Sequence, residues 1–435
     1  MNTLKTFKSA LLGSVVAFGV SAQAEAGQLL DQVTELMATH ERIRAAEADV
    51  AQARANLEVS RGGYFPTAST TAFWGQESIS TRNPGSTATE SVYMAKEVDL
   101  SLTQTVWDFG ATDATVDSSK LTVDQTLATL EQTRQALLLE ALSAQLNLAS
   151  AKRVLDHQTR SEDSIKRQTE LEDARVQRGS GFSTDVLQAK TQLAGAQAAR
   201  VRAQGALKQA FNRYRAVFGF IPESLKDMEA PNLSAFVLPD TEEDVVETSL
   251  SKNPQVHAQA IAADIADVAI TSSFTSGYRP TIDAIAETKH KKDVSGTAGK
   301  KNETMFKLEA TFDFTFGGVA KNTLLASKHG YSAAAGRLKD TRDTIEEQAR
   351  NAWQALETAE LNADFLRNQA NIAAEFLELA RKERTLGQRS LIDVLSGETS
   401  LINALAAADR AETDVAIAKL TLLNVMGQLD TSVLK

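Results

Sequence analysis

Cysteine is absent from the 435-residue chain. That excludes a disulfide scaffold, a thiolate metal site and a lipid-accepting cysteine near the start. Aromatic residues are scarce, at 6%. Ala, Leu, Gln and Glu are abundant instead, which is the composition of long helices and not of an all-β protein. Basic charge is in deficit, with 46 Lys+Arg against 56 Asp+Glu and a net charge of −10; this argues against nucleic acid as a partner. Beyond the N-terminal region the sequence offers no run of eighteen apolar residues, so any membrane segment is expected to be a β-barrel. His40, His157, His257, His290 and His329 are scattered without metal-ligand spacing. No phosphate-binding loop is present, and Gly179-Ser180-Gly181 lies between two helices and reads as a turn. The expectation is a protein that is not an enzyme and has no cofactor or metal.

What is present begins with a secretory signal. Lys5 and Lys8 form its positive region, Ala10–Val20 its apolar core and Ala22-Gln23-Ala24 its cleavage site, so residues 1–24 are expected to be removed. The stretch Phe306–Gly318 alternates strictly. Phe306, Leu308, Ala310, Phe312, Phe314 and Phe316 fall on one side, and Lys307, Glu309, Thr311, Asp313 and Thr315 on the other. A strand has a side-chain period of two, so one face is apolar and the other wet, as in the wall of a membrane barrel. Val92, Met94, Val98, Leu100, Leu102 and Val106 repeat the pattern, opposite Tyr93, Glu97, Asp99, Ser101, Thr103 and Thr105, with Lys96 and Gln104 interrupting the apolar side. Asn83-Pro84-Gly85-Ser86 supplies turn chemistry before it.

Helices fill the rest. One is predicted over 28–62, others over 111–178, 184–217, 242–273 (dented at Asn253-Pro254), 319–386 and 391–426. The long ones carry seams that step by fours and threes, such as Ile345, Ala349, Ala352, Leu356, Ala359, Ala363, Leu366, Ala370, Ala373, Leu377 and Ala380. This is coiled-coil spacing. The halves are one object twice. Gly110 and Gly318 stand 208 residues apart, and at the same offset Leu137 meets Ile345, Leu148 meets Leu356, and Asp185-Val186-Leu187 meets Asp393-Val394-Leu395. Tyr64 and Pro66 match Tyr278 and Pro280 at an offset of 214, so the first hairpin is six residues longer. The expected organisation is a first repeat over 25–218 with a hairpin at about 65–108, a proline-containing linker over 219–241, a second repeat over 242–427 with a hairpin at about 280–316, and a tail over 428–435. Four strands with one apolar face cannot close a barrel, so other copies must complete it.

Signal peptide, duplicated helix–hairpin–helix plan, Tyr-x-Pro before each hairpin and an Asp-Val pair after each long-helix break together resemble the TolC family of outer-membrane channel proteins. The resemblance covers essentially the whole mature chain. It implies an α+β membrane protein in which a long α-helical coiled-coil barrel continues a twelve-stranded outer-membrane β-barrel. The barrel would be built by a homotrimer from four strands per chain. The implied location is the outer membrane, extending into the periplasm. The implied partners are a periplasmic adaptor (membrane fusion) protein, an inner-membrane ABC transporter or proton-driven efflux pump, and outer-membrane lipid. Arg389-Ser390-Leu391-Ile392-Asp393-Val394-Leu395, with Asn351-Ala352-Trp353 upstream, is similar to the type I secretion branch, and more distantly to its LapE-like members that export large adhesins. Multidrug efflux is the alternative, and a pore-less periplasmic coiled-coil protein the alternative of another class.

The resemblance also implies a gate at the helical tip. By residue match Asp393 occupies a constricting aspartate position, Arg389 a gate arginine and Asp185 the aspartate of the first repeat. Ser396 stands where a second constricting aspartate is expected, and Arg384 where a gate tyrosine is. Asp185 and Asp393 also suit a second reading, as helix N-terminal residues favoured by the dipole. Glu97, Asp99, Glu309 and Asp313 are expected to line the pore, and Phe306, Leu308, Phe312, Phe314 and Phe316 to face lipid. Lys289, Lys291, Lys292, Lys300 and Lys301 read either as a solvated hairpin tip or as a contact to lipopolysaccharide phosphate. Trp74 and Trp107 sit where interfacial aromatics anchor barrels, while Trp353 suits packing.

Overall fold

The computed structural model describes residues 24–82, 84–85, 87–180, 182–222 and 238–434. The signal peptide apart from Ala24, most of the linker including Pro231, and Asn83, Ser86 and Gly181 of the expected turns lie outside them. Two helices replace the one expected over 28–62: α1 (Ala24–Thr39) and α2 (Glu41–Arg61). His40 divides them. Its backbone is extended, and its Nδ1 accepts the Arg42 N–H at 3.1 Å, a capping role for which histidine is not a usual signal. The chain continues through β1 (Thr67–Thr81), β2 (Thr89–Trp107), α3 (Ala111–Gln177), α4 (Ser183–Phe218), α5 (Glu242–Lys252), α6 (Pro254–Tyr278), β3 (Thr281–Lys292), β4 (Lys300–Thr311), α7 (Val319–Thr385) and α8 (Leu391–Val425).

The duplication is literal. Helices α3 and α7 each have 67 residues, about 100 Å at a rise of ~1.5 Å per residue. Three glycine pairs at the 208 offset share the left-handed backbone: Gly110 and Gly318 at φ 90 and 69, Gly179 and Gly387 both at φ 76, Gly219 and Gly427 at φ 81 and 67. Glycine reaches this region without the Cβ clash that other residues meet. Both long helices stop in the same way. Ser180 N–H reaches back to Arg175 O, and Gln388 N–H to Glu383 O, each at 3.0 Å.

The seams do the packing. On α7, Ile345, Ala349, Ala352, Leu356, Ala363, Ala370, Leu377 and Ala380 are buried. Leu377 and Ala380 meet Val394 of α8, and Ala370 meets Ala404 and Ala408. Val154 of α3 meets Ala203 of α4 and Ala406 of α8. In the half away from the sheet the long helices therefore lie side by side in the order α7, α8, α3, α4, while α2, α3, α6 and α7 make the half nearest the sheet. Small seam residues permit this close approach. Helix α8 averages a hydropathy of 1.2 over eighteen residues, but half of that window is buried; its apolar residues are coil seam.

The sheet is antiparallel throughout, in the order β1-β2-β3-β4. β4 starts earlier and ends sooner than the sequence alone suggests. Thr311 pairs with Thr281, and Pro280, lacking an N–H, precedes Thr281, so the ladder has no rung beyond. Phe312, Asp313, Phe314 and Phe316 therefore lie past the strand, and Asp313 is not a strand residue. The basic stretch is likewise mostly strand: Lys289, Lys291 and Lys292 belong to β3 and Lys300 and Lys301 to β4, leaving 293–299 as the tip.

Two cores anchor the middle of the molecule. Tyr214 stacks on Phe218 at 4.3 Å and sits in a cluster with Val33, Leu36, Ile43, Leu429 and Leu434; burial pushes its hydroxyl up to about 12. At the edge of this core Glu140 accepts both Arg42 nitrogens, at 2.7 and 3.2 Å, and Arg213 at 2.9 Å. The Arg42 hydrogen bonds hold its carboxyl below the usual carboxylate range. The second core joins Val245 and Val246 of α5 to Ala349, Ala352, Leu356 and Leu422, with Trp353 packed against it. Asn253 caps α6 by accepting Gln255 N–H at 2.8 Å and donates to Val425 O at 2.8 Å. The α5–α6 turn thereby lies directly on the end of α8, where a Cβ on Gly427 would come within 2.4 Å of Lys252 O. A Cβ on its mate Gly219 would meet nothing within 4 Å among the described residues. Gly219→Ala is expected to cost only the backbone penalty of about 1–2 kcal/mol, and Gly427→Ala at least ~3 kcal/mol, because backbone must move as well. Melting of the two variants in detergent, monitored by circular dichroism, checks the difference.

Candidate functional site

The sheet is apolar on its more exposed side. Val98, Leu100 and Leu102 of β2 are 46%, 49% and 45% exposed, and Phe306 and Leu308 of β4 are 80% and 75% exposed. The alternate residues Glu97, Asp99, Ser101, Thr103 and Thr105 are half-buried. In a water-soluble sheet the order is reversed. The register extends this across the sheet. Lys291 stands opposite Glu97, and Lys289 opposite Asp99 and Glu303. On this polar face Lys291 pairs with Glu97 at 3.6 Å and with Glu303 at 3.0 Å, Lys289 pairs with Glu287 at 2.6 Å, and Thr105 donates to Asp283 at 2.8 Å. Lys307 pairs with Glu309 on the same side. The expected pore-lining residues Glu97, Asp99 and Glu309 thus share one face with four lysines, Lys289, Lys291, Lys301 and Lys307, and Asp313 lies beyond its end.

The base of the sheet carries the aromatics. Trp107 meets Phe109 edge-on at 5.9 Å, and Phe312, Phe314 and Phe316 follow β4 as a chain of contacting rings at 6.2 and 5.1 Å. Trp74 faces outward beside Lys96, whose Nζ lies 5.7 Å from its ring. Tyr64 donates to Asp113 at 2.6 Å, tying the hairpin base to α3, and that bond pushes its hydroxyl up to about 12. The second repeat lacks this tie. Lys321 replaces Asp113 at the offset, and Tyr278 stacks on Phe274 at 5.6 Å.

At the opposite end the two helix breaks come together, joined by a cluster of Ile165, Ala189, Leu391 and Leu395. Asp393 is exposed in the first turn of α8, and its N–H is capped by Ser390 Oγ at 3.2 Å. Asp393 and Ser396 line a cleft of about 580 Å³ with Phe365, Ile372 and Phe376. Asp185 is half-buried in the first turn of α4. Arg389 Nε donates to Glu383 at 2.7 Å, and its guanidinium lies 5.3 Å from the Phe376 ring centre.

Arg384 makes the tip's cross-repeat tie. It donates to Glu172 of α3 at 2.7 Å and to Arg389 O at 3.3 Å, while Arg175 holds the same Glu172 oxygen at 2.8 Å. Glu172 is buried. It was missed in the sequence, although a signal was there: its repeat equivalent is Ala380, a seam alanine, so a charge at that position needs a partner. Arg384→Ala removes one of two cations from a buried carboxylate. Losing a charged hydrogen bond costs about 2 kcal/mol, so amide exchange over 168–180 and 384–392 is expected to quicken roughly 30-fold, read by mass spectrometry.

Comparison with known proteins fits this geometry. The outer membrane efflux protein family profile matches residues 33–219 and 245–428, one segment for each repeat. The chain is 24% identical over 422 residues to the outer membrane efflux protein BepC of Brucella suis biovar 1 (strain 1330), across 96% of this chain and 89% of that protein. It is 22% identical over 351 residues to the outer membrane protein TolC of Escherichia coli (strain K12), across 77% and 70%. Its fold matches the outer-membrane channel OprN with a TM-score of 0.78 at 18% identity, over 93% of this chain and 90% of that one. The Campylobacter jejuni CmeC outer membrane channel matches with a TM-score of 0.74 at 17% identity, over 94% and 88%. With both repeats matched in order over most of its length, the chain belongs to the outer membrane efflux protein family.

Proposed function

We propose that three copies of this chain close into a passive exit duct, a twelve-stranded barrel in the outer membrane continued by a helical tunnel through the periplasm. The duct docks onto a periplasmic adaptor and an inner-membrane ABC transporter and serves type I protein secretion, with large adhesins as the cargo class. The observation that carries the duct is the sheet, whose apolar side is the more exposed one and whose other side is ion-paired. Among the described residues both outer strands, β1 and β4, have an unpaired edge within the chain. Such edges are untenable in hydrocarbon unless another copy pairs with them. A pore-less coiled-coil protein has no use for that sheet. The cargo reading rests on the similarity of Arg389–Leu395 and Asn351-Ala352-Trp353 to the type I secretion branch. The second reading, drug efflux with a proton-driven pump, is favoured by the efflux protein BepC among the relatives.

Three Asp393 carboxylates around one axis form a cation-attracting ring at the tunnel entrance, and Ser396 leaves that ring single. Planar-bilayer recording tests this. Asp393→Ala is expected to raise conductance and to weaken divalent-cation block roughly tenfold, about 1.4 kcal/mol of ion binding. Unchanged block removes Asp393 from the gate. Deletion of the gene separates the cargo readings. Loss of a large protein from the cell surface with unaltered drug susceptibility supports secretion, and drug hypersensitivity with intact secretion supports efflux.

A further inference from the structure

The register of the sheet sorts its lysines into two kinds. Lys289, Lys291, Lys301 and Lys307 lie on the polar face, and each is ion-paired there. Three others lie on the apolar face. Trp74 stands opposite Lys96, Lys96 opposite Lys292, and Lys292 opposite Lys300, so one rung carries an indole and three ammonium groups across all four strands. All four side chains are exposed. Lys96 lies 5.7 Å from the Trp74 ring, and among the described residues none of the three lysines makes an ion pair. Glu97, Asp99, Asp283, Glu287, Glu303 and Glu309, the acids of the wall from this rung to the base, all stand on the other face. With strands ~4.8 Å apart the row spans about 10 Å. Like charges directly opposite one another repel, so the row asks for an anion.

The rung also marks a boundary. It is the last on which all four strands are paired, and β2 runs eleven residues from Lys96 to Trp107 at the base. At ~3.4 Å per residue and a tilt of about 45° this rises about 26 Å, which matches the ~25 Å apolar band of an outer-membrane barrel. The base aromatics thus stand at one surface of the hydrocarbon and the lysine rung at the other, on the side of the hairpin tips. Lysine on the lipid face is costly at mid-bilayer but not at the interface, where its stem lies along apolar surface and its charge reaches the head groups. Below the rung the chemistry of β3 and β4 changes in order. First come His290 and Asn302, whose Nδ1 and Oδ1 are 2.9 Å apart, and then Thr288 and Thr304, with hydroxyls 3.4 Å apart. Next, Ala284 and Ala286 floor a cleft of about 430 Å³ between Leu102 on one side and Phe306 and Leu308 on the other.

We propose that this face seats one molecule of the phosphorylated glycolipid of the outer leaflet. Its phosphates meet Lys96, Lys292 and Lys300, its sugar hydroxyls and amides meet His290, Asn302, Thr288 and Thr304, and an acyl chain lies in the trough over Ala284 and Ala286. This rests on the barrel reading above. The order of the zones selects the occupant. Two phosphomonoesters, at about −1.5 to −2 each, offset three lysines. A phosphodiester phospholipid brings one negative charge and no sugar for the hydrogen-bonding belt, and free phosphate has no use for the trough. A solvated loop does not explain the row either, because the tip proper is 293–299 and the lysines are strand residues. With fixed ammonium groups on its phosphates, the seated lipid needs no divalent cation there.

Native mass spectrometry of delipidated protein in detergent and EDTA tests the seat, with diphosphoryl lipid A as the probe. Up to one lipid per subunit is expected, held at least ~10-fold tighter than phosphatidylglycerol. Lys96→Gln, Lys292→Gln and Lys300→Gln together are expected to weaken lipid A about 100-fold, roughly fivefold for each lysine. The single variants give the same reading without needing the triple variant to assemble. Ala286→Phe fills the trough and is expected to weaken lipid A about tenfold with all three lysines in place. Lys301→Gln, on the other face, is expected to leave binding unchanged. Undiminished binding in the lysine variants or in Ala286→Phe, or equal affinity for lipid A and phosphatidylglycerol, overturns the seat and leaves the barrel standing. A protein that is monomeric by mass overturns both.

Discussion

A peptide group in hydrocarbon must be hydrogen-bonded, and this one requirement governs the whole architecture. Among the described residues the chain makes four strands and leaves two edges open. Those edges fix the need for sister copies, and the helices below inherit the arrangement. α3 and α7 each leave the sheet through a left-handed glycine one or two residues after Phe109 or Phe316. Wherever the strands stand around the barrel, the helices must follow. The tunnel is therefore a continuation of the sheet and not a separate domain attached to it.

Duplication supplies the repeat, and divergence gives it direction. Each half would serve alone as a sixth of a ring, but the halves no longer match at their contacts. Tyr64 is tied to Asp113 while Tyr278 stacks on Phe274. The end of α8 is clamped by the α5–α6 turn through Asn253, while among the described residues nothing crowds the equivalent Gly219 at the end of α4. Arg384 of one half reaches Glu172 of the other, and nothing reciprocal is possible, because Val176 stands at the equivalent position.

Much of this was legible in the sequence because it depends on period and offset. The seam from Ile345 to Ala380, the 208-residue repeat, the glycine breaks and the alternating β2 all survive in the structure, since each is enforced locally by side-chain direction or by a positive φ. What was not legible depends on partners. The early end of β4 is set by Pro280 on the opposite strand. The cap at His40 comes from a residue type that rarely signals one. At the tip, the offset that aligns Asp185 with Asp393 marks where the two helix breaks fall, but the pairings of Arg384 with Glu172 and of Arg389 with Glu383 are not legible, because those acids enter from helix positions that no short motif marks.

The two hairpins differ in height. Residues Thr89–Ala95 of β2 pair with β1 but rise past Lys292, the last rung of β3. The 293–299 turn of the second hairpin leans against this extension: Gly296 N–H donates to Glu77 at 3.4 Å, and a Cβ on Gly296 would lie 2.9 Å from Ser91 Oγ and 3.6 Å from Ile79. The shorter hairpin therefore buttresses the taller one, and any side chain at 296 would wedge the two apart.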